Sequence, residues 1–137
     1  AGGTVYGVIP KALVDRECAL TICTELHVVD TMHERKAMMA DRADAFLALP
    51  GGVGTFEELF EVWAWRQLGY HSKPLGLLNT AGYYDALLAF MAQTVEAEFV
   101  GAWQMNLLHT DANPSSLLPT LVQQAGFGSS QGLATKL

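Results

Sequence analysis

The sequence has few charges, few cysteines and no long apolar run, and each shortage disfavours a class of protein. Only 16% of its 137 residues are charged and the formal net charge is −6, which argues against a broad basic surface for a nucleic-acid polymer. The apolar runs are short and interrupted, so we expect no membrane partner. Cys18 and Cys23 have a C-x4-C spacing typical of no redox or zinc site, so we expect reduced thiols in a cytoplasmic protein.

Short apolar runs alternate with helical patterns along the chain, and half of the residues are hydrophobic. Strands are predicted over residues 4–9, 25–29, 45–49, 75–78 and 107–109, and helices over 31–42, 56–68, 83–99 and 115–124. Apolar strands that alternate with helices predict an α/β fold, an open parallel sheet flanked by helices. We expect one domain over residues 1–125 and a flexible Gly- and Ser-rich tail over 126–137.

The most informative segment is LPGGVGTFEE at residues 49–58, whose first six residues we call the glycine-rich loop. It lies between a predicted strand and a predicted helix, where glycines permit positive φ angles and close approach of a ligand to the main chain. The helix start offers unpaired N–H groups and the positive end of the helix dipole. Together these features predict a phosphate site, with the carboxylate of Glu58 one turn into the helix.

Two predicted helix starts share the capping-box pattern T-x-x-E. Thr31 and Glu34 form one such pattern, and Thr55 and Glu58 form the other. In a capping box the glutamate accepts a hydrogen bond from the N–H of the threonine. Local sequence therefore leaves two interpretations of Glu58 open, one structural and one catalytic.

Arg35 and Lys36 stand near the start of the first of these helices, where the dipole disfavours each cation by roughly 0.3–1 kcal/mol. Glu34 compensates in part, and a bound anion would compensate further. Such breaches of local rules are typical of functional sites. Since the carboxyl ends of parallel strands meet at one edge of a sheet, we expect Arg35 and the glycine-rich loop to converge on one ligand.

These segments resemble the LOG family of cytokinin riboside 5'-monophosphate phosphoribohydrolases, many of which were long labelled lysine decarboxylases. The likeness rests on MHERK at residues 32–36 and on PGGVGT at 50–55 with Glu58, and it covers roughly residues 3–110. It includes GVIP at 7–10, EVW at 61–63, KP at 73–74, GLLN at 76–79 and GYYD at 82–85. Family members carry further βα units before the first strand seen here, so the resemblance implies a Rossmann-like sheet that is incomplete at its N-terminus.

The resemblance implies hydrolysis of the N-glycosidic bond of an N6-modified AMP to the free base and ribose 5-phosphate. Glu58 and Arg35 are the implied catalytic residues, since a carboxylate near the anomeric carbon stabilises an oxocarbenium-like transition state or positions water. The residues expected to bind the nucleotide are Gly51, Gly52, Gly54, Thr55, Lys36 and Met32. Lys36 is equally consistent with a surface charge, and Met32 with a core position. No cofactor or metal is implied, and the four histidines have no ligand spacing.

Three rival functions share parts of this pattern. A nucleotide- or cofactor-binding carrier of the same Rossmann-like group would bind without catalysis, and the combination of Glu58 with Arg35 argues against it. A nucleosidase for plain AMP would share the mechanism and differ only in the base pocket. A lysine decarboxylase needs pyridoxal phosphate on a lysine, and no lysine of this sequence has a recognisable Schiff-base context.

The helix predicted over residues 56–68 carries aromatic side chains around much of its circumference. These are Phe56, Phe60, Trp63 and Trp65. Large apolar residues on more than one helix face need a second partner surface. We therefore expect a homodimer, with burial against the further N-terminal βα units that the resemblance implies as the alternative.

Overall fold

The structure is a computed structural model, and it describes residues 2–14 and 23–127. The chain forms two compact units, Ala1–Ala43 and Asp44–Leu137, and each is described by itself. Cys18 and residues 128–137 of the predicted tail lie outside the described residues. The prediction of one domain over residues 1–125 stays a prediction.

The first unit contains a parallel pair of strands and one helix. Its elements are β1 (Tyr6–Pro10), a 3-10 turn (Lys11–Leu13), β2 (Glu25–Val29) and α1 (Met32–Arg42). Tyr6 lies opposite Glu25 and Pro10 opposite Val29, so β1 runs one residue beyond its predicted end. α1 packs against both strands.

The second unit contains a three-stranded parallel sheet in the order β3-β4-β5. Its elements are β3 (Phe46–Ala48), α2 (Val53–Gln67), β4 (Leu75–Leu78), a 3-10 turn (Thr80–Gly82), α3 (Asp85–Glu96), α4 (Ala102–Met105), β5 (Leu108–Asp111) and α5 (Pro114–Gln124). Every residue of the central strand β4 is buried, as expected for a parallel strand covered on both faces. The predicted α/β fold with parallel strands flanked by helices is confirmed.

Helices cover both faces of this sheet. On one face, Leu59 of α2 packs with Leu77 of β4 and Tyr84, the residue before α3. On the other face, Leu117 and Leu121 of α5 pack with Leu78. Leu77 and Leu78 contact helices on different faces because successive side chains of a strand point to opposite faces of the sheet.

Gly76 of β4 permits the close packing of α5 on the sheet. A Cβ atom at this position would lie 2.7 Å from Leu121 Cδ1 and 3.1 Å from Leu47 Cδ1. At α3, the chain leaves the helix earlier than predicted because Glu98 adopts a left-handed φ of 62°. Among the described residues, no helix combines the length and apolar character needed to span a membrane.

Candidate functional site

The glycine-rich loop connects β3 to α2, and α2 begins earlier than the sequence predicts. Gly52 is the N-cap, with φ −100° and ψ −151°, and Val53 is the first helical residue. The Phe56 N–H donates to the Gly52 carbonyl at 3.1 Å and closes the first turn. Gly52 has no side chain to accept a hydrogen bond from this turn, so the N-terminal N–H groups of α2 receive no side-chain cap from it.

This helix start does not fit the capping-box interpretation of Thr55 and Glu58, one of the two that the sequence leaves open. Thr55 is the third residue of α2 and Glu58 the sixth, whereas a box needs its threonine at the N-cap and its glutamate at the third position. The adjacent glycines at 51 and 52 carry the extended chain directly into the helix, ahead of Thr55. Glu58 is half-buried, in the turn that follows the N-terminal turn.

The three glycines of this segment, all within the described residues, have different surroundings. A Cβ atom at Gly52 or Gly54 would meet no described atom within 4 Å, so a ligand has room beside both. A Cβ at Gly51 would collide with the Thr55 hydroxyl and lie 3.0 Å from Thr55 Cβ. None of the three adopts a φ in the left-handed region. Positive φ is thus not the reason for glycine at these positions, and close approach is the reason that the geometry supports.

Two tyrosines from the β4–α3 connection donate hydrogen bonds to carbonyl groups of the glycine-rich loop. The Tyr83 hydroxyl donates to the Gly51 carbonyl at 2.9 Å, and the Tyr84 hydroxyl donates to the Leu49 carbonyl at 2.6 Å. Tyr84 is 1% exposed, and burial raises the pKa of its phenol, so the hydroxyl keeps its proton. Sequence reasoning used GYYD only as part of the resemblance and missed these contacts.

The turn that positions both tyrosines is itself held by side chains. The Asn79 side chain accepts from the Tyr84 N–H at 2.7 Å and donates to Asp85 at 2.7 Å. Gly82 has a φ of 71°, and a Cβ there would lie 2.5 Å from the Asp85 carboxylate. Ala81 also adopts a left-handed φ, 53°. This strained turn brings two adjacent phenols back to the glycine-rich loop.

In the first unit, the start of α1 forms the capping box that the sequence predicts. The Thr31 hydroxyl accepts from the Glu34 N–H at 3.1 Å. In return the Glu34 carboxylate accepts from the Thr31 N–H at 3.2 Å and from the Asp30 N–H at 2.8 Å. The first turn of α1 is therefore capped by its own side chains.

The remaining predicted site residues of this unit lie at the same helix start. Met32 is the first residue of α1 and is 41% exposed. Arg35 and Lys36 follow in the next turn and are both half-buried. Arg35 belongs to the first unit and the glycine-rich loop to the second. Their convergence on one ligand stays a prediction.

The carboxyl ends of β1 and β2 carry an ion pair. Lys11 Nζ lies 2.6 Å from Asp30 Oδ1, and both side chains are exposed. The hydrogen bond from Lys11 to this carboxylate, and its negative charge, raise the pKa of Lys11. Lys11 is thus a protonated partner of Asp30 at neutral pH and not a neutral amine nucleophile.

No cluster of three or more His, Cys, Asp or Glu side chains suited to a metal ion occurs in residues 2–14 and 23–127. The donors that the described loop offers are backbone N–H groups, and Thr55, which follows the loop, adds a hydroxyl. These bind anions rather than cations.

The fold is an α/β fold with a glycine-rich strand-to-helix junction, and comparisons with known proteins identify its family. A family model described as "Possible lysine decarboxylase" matches residues 1–121. The chain therefore belongs to this family, the LOG family that the motifs resemble.

Curated relatives carry a more specific name than the family model. A "probable cytokinin riboside 5'-monophosphate phosphoribohydrolase" of Oryza sativa subsp. japonica is 50% identical over 120 residues, which are 88% of this chain and 48% of that relative. Two Arabidopsis thaliana proteins named cytokinin riboside 5'-monophosphate phosphoribohydrolase are 49% identical over 120 residues and 44% identical over 136 residues. Those matches cover 88% and 99% of this chain, and 56% and 62% of the relatives. The chain thus spans about half the length of the curated relatives it matches.

Proposed function

We propose that this protein hydrolyses the N-glycosidic bond of an N6-modified AMP, a cytokinin riboside 5'-monophosphate, to the free base and ribose 5-phosphate. The observation that carries the proposal is the start of α2, where a glycine N-cap lacks a side-chain cap and Glu58 follows in the next turn. The names of relatives at 44–50% identity support the same reaction.

The proposed phosphate site consists of the glycine-rich loop and the first turn of α2. The N–H groups of Gly52, Gly54 and Thr55 are at a helix start, where orphan donors and the helix dipole favour an anion. The open space beside Gly52 and Gly54 leaves room for a phosphate close to the main chain. Gly51 keeps that path free of a side chain, and Lys36 is proposed as a further phosphate contact.

The proposed chemistry uses Glu58 and Arg35. As the C1'–N bond breaks, its electron pair leaves with the base and positive charge develops on the ribose ring. The Glu58 carboxylate stabilises this charge and orients the water whose oxygen bonds to C1', and one proton of this water ends on the departing base. The Arg35 guanidinium, a cation, stabilises the negative charge of the departing base. Met32 is proposed to line the base pocket.

The reaction is tested by incubating the purified protein with N6-isopentenyl-AMP, plain AMP and the unphosphorylated riboside, with base release followed by chromatography. We expect release from the N6-modified nucleotide. A preference for plain AMP would assign the nucleosidase function instead. Binding of the nucleotides without release on prolonged incubation would assign the carrier function.

The role of Arg35 is tested by Arg35→Ala, with Arg42→Ala as the matched control on the same helix. Arg42 lies over the Tyr6 ring at 5.3 Å, away from the start of α1. Arg35→Ala is expected to lower kcat/KM about 10²–10³-fold, as when one fixed charge-stabilising donor is lost. Turnover in Arg35→Ala that equals turnover in Arg42→Ala would remove Arg35 from the catalytic set.

A homodimer is part of the proposal. Phe56 and Trp63 pack into the core of the second unit. The exposed apolar residues of α2 that a second copy would cover are Phe60, which is 38% exposed, and Val53, which is 82% exposed. We expect Phe60→Glu to shift light-scattering mass toward the monomer. A wild-type monomer at micromolar concentration would contradict the dimer.

A cytoplasmic location is also proposed, on the basis of thiol chemistry. Cys23 is a free cysteine, and free thiols persist where glutathione and thioredoxin keep cysteines reduced. Cell fractionation of the tagged protein tests the location, and recovery in an oxidising compartment would contradict it.

A further inference from the structure

The hydroxyls of Tyr83 and Tyr84 donate to carbonyl groups of two peptide groups of the glycine-rich loop, and these peptide groups differ in whether they carry an N–H. Tyr84 donates to the Leu49 carbonyl, whose peptide group continues into Pro50 and so has no N–H. Tyr83 donates to the Gly51 carbonyl, whose peptide group carries the N–H of Gly52. The contact from Tyr83 to the Gly51 carbonyl therefore acts on a peptide group whose N–H can bind a ligand.

The peptide group between Gly51 and Gly52 is the part of the loop most prone to rotate. A trans peptide is planar, and its C=O and N–H point in opposite directions. Glycine on both sides permits either orientation at low cost. One orientation presents an N–H to a bound anion, and the flipped orientation presents a carbonyl oxygen, which repels it.

The contact from Tyr83 selects one of these orientations. Its hydroxyl lies 2.9 Å from the Gly51 oxygen, so the Gly52 N–H points away from the phenol. The Tyr83 ring meets the Tyr84 ring edge-to-face, with centroids 4.8 Å apart and an interplanar angle of 85°. Because Tyr84 is buried and its N–H is bonded to Asn79, the Tyr83 phenol is supported by a rigid neighbour.

We infer that Tyr83 is a positioning residue of the phosphate site, whose hydroxyl keeps the Gly51–Gly52 peptide oriented so that the Gly52 N–H donates to the 5'-phosphate. This inference rests on the proposed function, because it assumes that the glycine-rich loop receives a phosphate. It adds a residue from the β4–α3 connection that acts through the main chain of the loop.

The test compares Tyr83→Phe with the control Tyr70→Phe. The Tyr83 substitution removes only the hydroxyl and keeps the ring that packs on Tyr84. Tyr70 is 76% exposed and follows the end of α2, so its hydroxyl is outside the proposed site. The measurements are KM and kcat for N6-isopentenyl-AMP, the Kd of ribose 5-phosphate by calorimetry, and a thermal melt of each variant.

We expect Tyr83→Phe to raise KM and the Kd of ribose 5-phosphate by about 3- to 10-fold, the effect of one hydrogen bond. Its kcat should stay within about twofold of wild type, and Tyr70→Phe should change none of these values beyond error. A merely structural role would lower kcat through a smaller folded fraction and leave KM unchanged. Unchanged KM and Kd in Tyr83→Phe overturn the inference.

The same experiment separates failure of this inference from failure of the proposed function. Hydrolysis by wild type with unchanged KM and Kd in Tyr83→Phe refutes the inference and leaves the function in place. No hydrolysis by wild type, with weaker binding of ribose 5-phosphate to Tyr83→Phe, refutes the function and supports the inference. Absence of ribose 5-phosphate binding to wild type refutes the inference, whatever the outcome for hydrolysis.

Discussion

The starts of α1 and α2 carry the same T-x-x-E pattern and are built differently. At α1, Thr31 is the N-cap and exchanges hydrogen bonds with Glu34. At α2, Gly52 is the N-cap, and Thr55 lies inside the helix. One helix start is satisfied by its own side chains, and the other has no side-chain cap.

The residues that precede a T-x-x-E pattern decide whether it forms a capping box. Before α1, Asp30 precedes the N-cap Thr31 and donates its N–H to the same Glu34 carboxylate, so Glu34 binds the two residues that lead into the helix. Gly52 and Val53 precede Gly54 and Thr55, and the helix has begun before the threonine is reached. A ligand can then serve as the cap of α2, as expected for an anion site.

The largest expected effect is the loss of activity in Glu58→Gln, which we compare with the same substitution at Glu34. Glu58→Gln should lower kcat about 10²–10⁴-fold, the usual loss when a catalytic carboxylate is removed, with little change in melting temperature. Glu34→Gln should keep both activity and stability, because glutamine serves in a capping box as well as glutamate does. The measurements are base release and thermal melting of both variants. Near-normal turnover in Glu58→Gln would return Glu58 to a structural role.

Gly51→Ala tests why the chain before α2 contains a glycine pair. The new Cβ would lie 3.0 Å from Thr55 Cβ, an atom that side-chain rotation cannot move. We expect a loss of about 1–3 kcal/mol in unfolding free energy, as for overpacking at a tight site. Gly52→Ala is the matched control, since its Cβ meets open space. Equal stability of the two variants in urea unfolding would contradict the steric role of Gly51.

Replacing each threonine compares a cap with a helix-interior residue. Thr31→Ala removes the acceptor of the Glu34 N–H and should cost about 0.5–2 kcal/mol of stability. Thr55→Ala removes no N-cap acceptor and should cost less, while it raises KM if its hydroxyl contacts the phosphate. Urea unfolding and steady-state kinetics measure both effects. A larger stability loss for Thr55→Ala than for Thr31→Ala would contradict the assignment of Thr31 as a cap and Thr55 as a residue inside the helix.

Where local chemistry decides the structure, the sequence predicts it well. β4 has its predicted bounds, because Pro74 precedes four residues that are buried between two layers. The helix predicted over residues 115–124 is α5, and Asn113 caps it with a side chain that accepts from the Ser115 N–H at 2.8 Å. Both features depend on residues that are adjacent in the chain.

The sequence predicts less where distant residues meet. The contact from Tyr83 to Gly51 joins residues 32 positions apart, and no local pattern encodes it. The predicted start of α2 differs from the observed one for another reason. Two overlapping signals, the glycine pair and the T-x-x-E pattern, favour different N-caps, Gly52 and Thr55. The sequence nonetheless predicts Glu58 and the loop glycines as one group, because a strand, a glycine-rich turn and a helix follow one another without interruption, and their role as a site stays a prediction.

Gly54→Ala is expected to change stability less than Gly51→Ala does, and it gives the most selective test of the open helix start. Gly54 is the second residue of α2, and alanine there lowers the entropy of the unfolded chain and favours the helix, so stability should rise by about 0.5 kcal/mol. The methyl group would occupy the space beside the helix start that Gly54 leaves open, so KM for the nucleotide should also rise. An N-cap should respond in the opposite sense, and Gly52→Ala should lose roughly 0.5–1 kcal/mol, because alanine is a much poorer N-cap than glycine. Gain of stability with unchanged KM in Gly54→Ala would mean that the phosphate does not approach this turn, and α2 would then be a helix that merely lacks a cap.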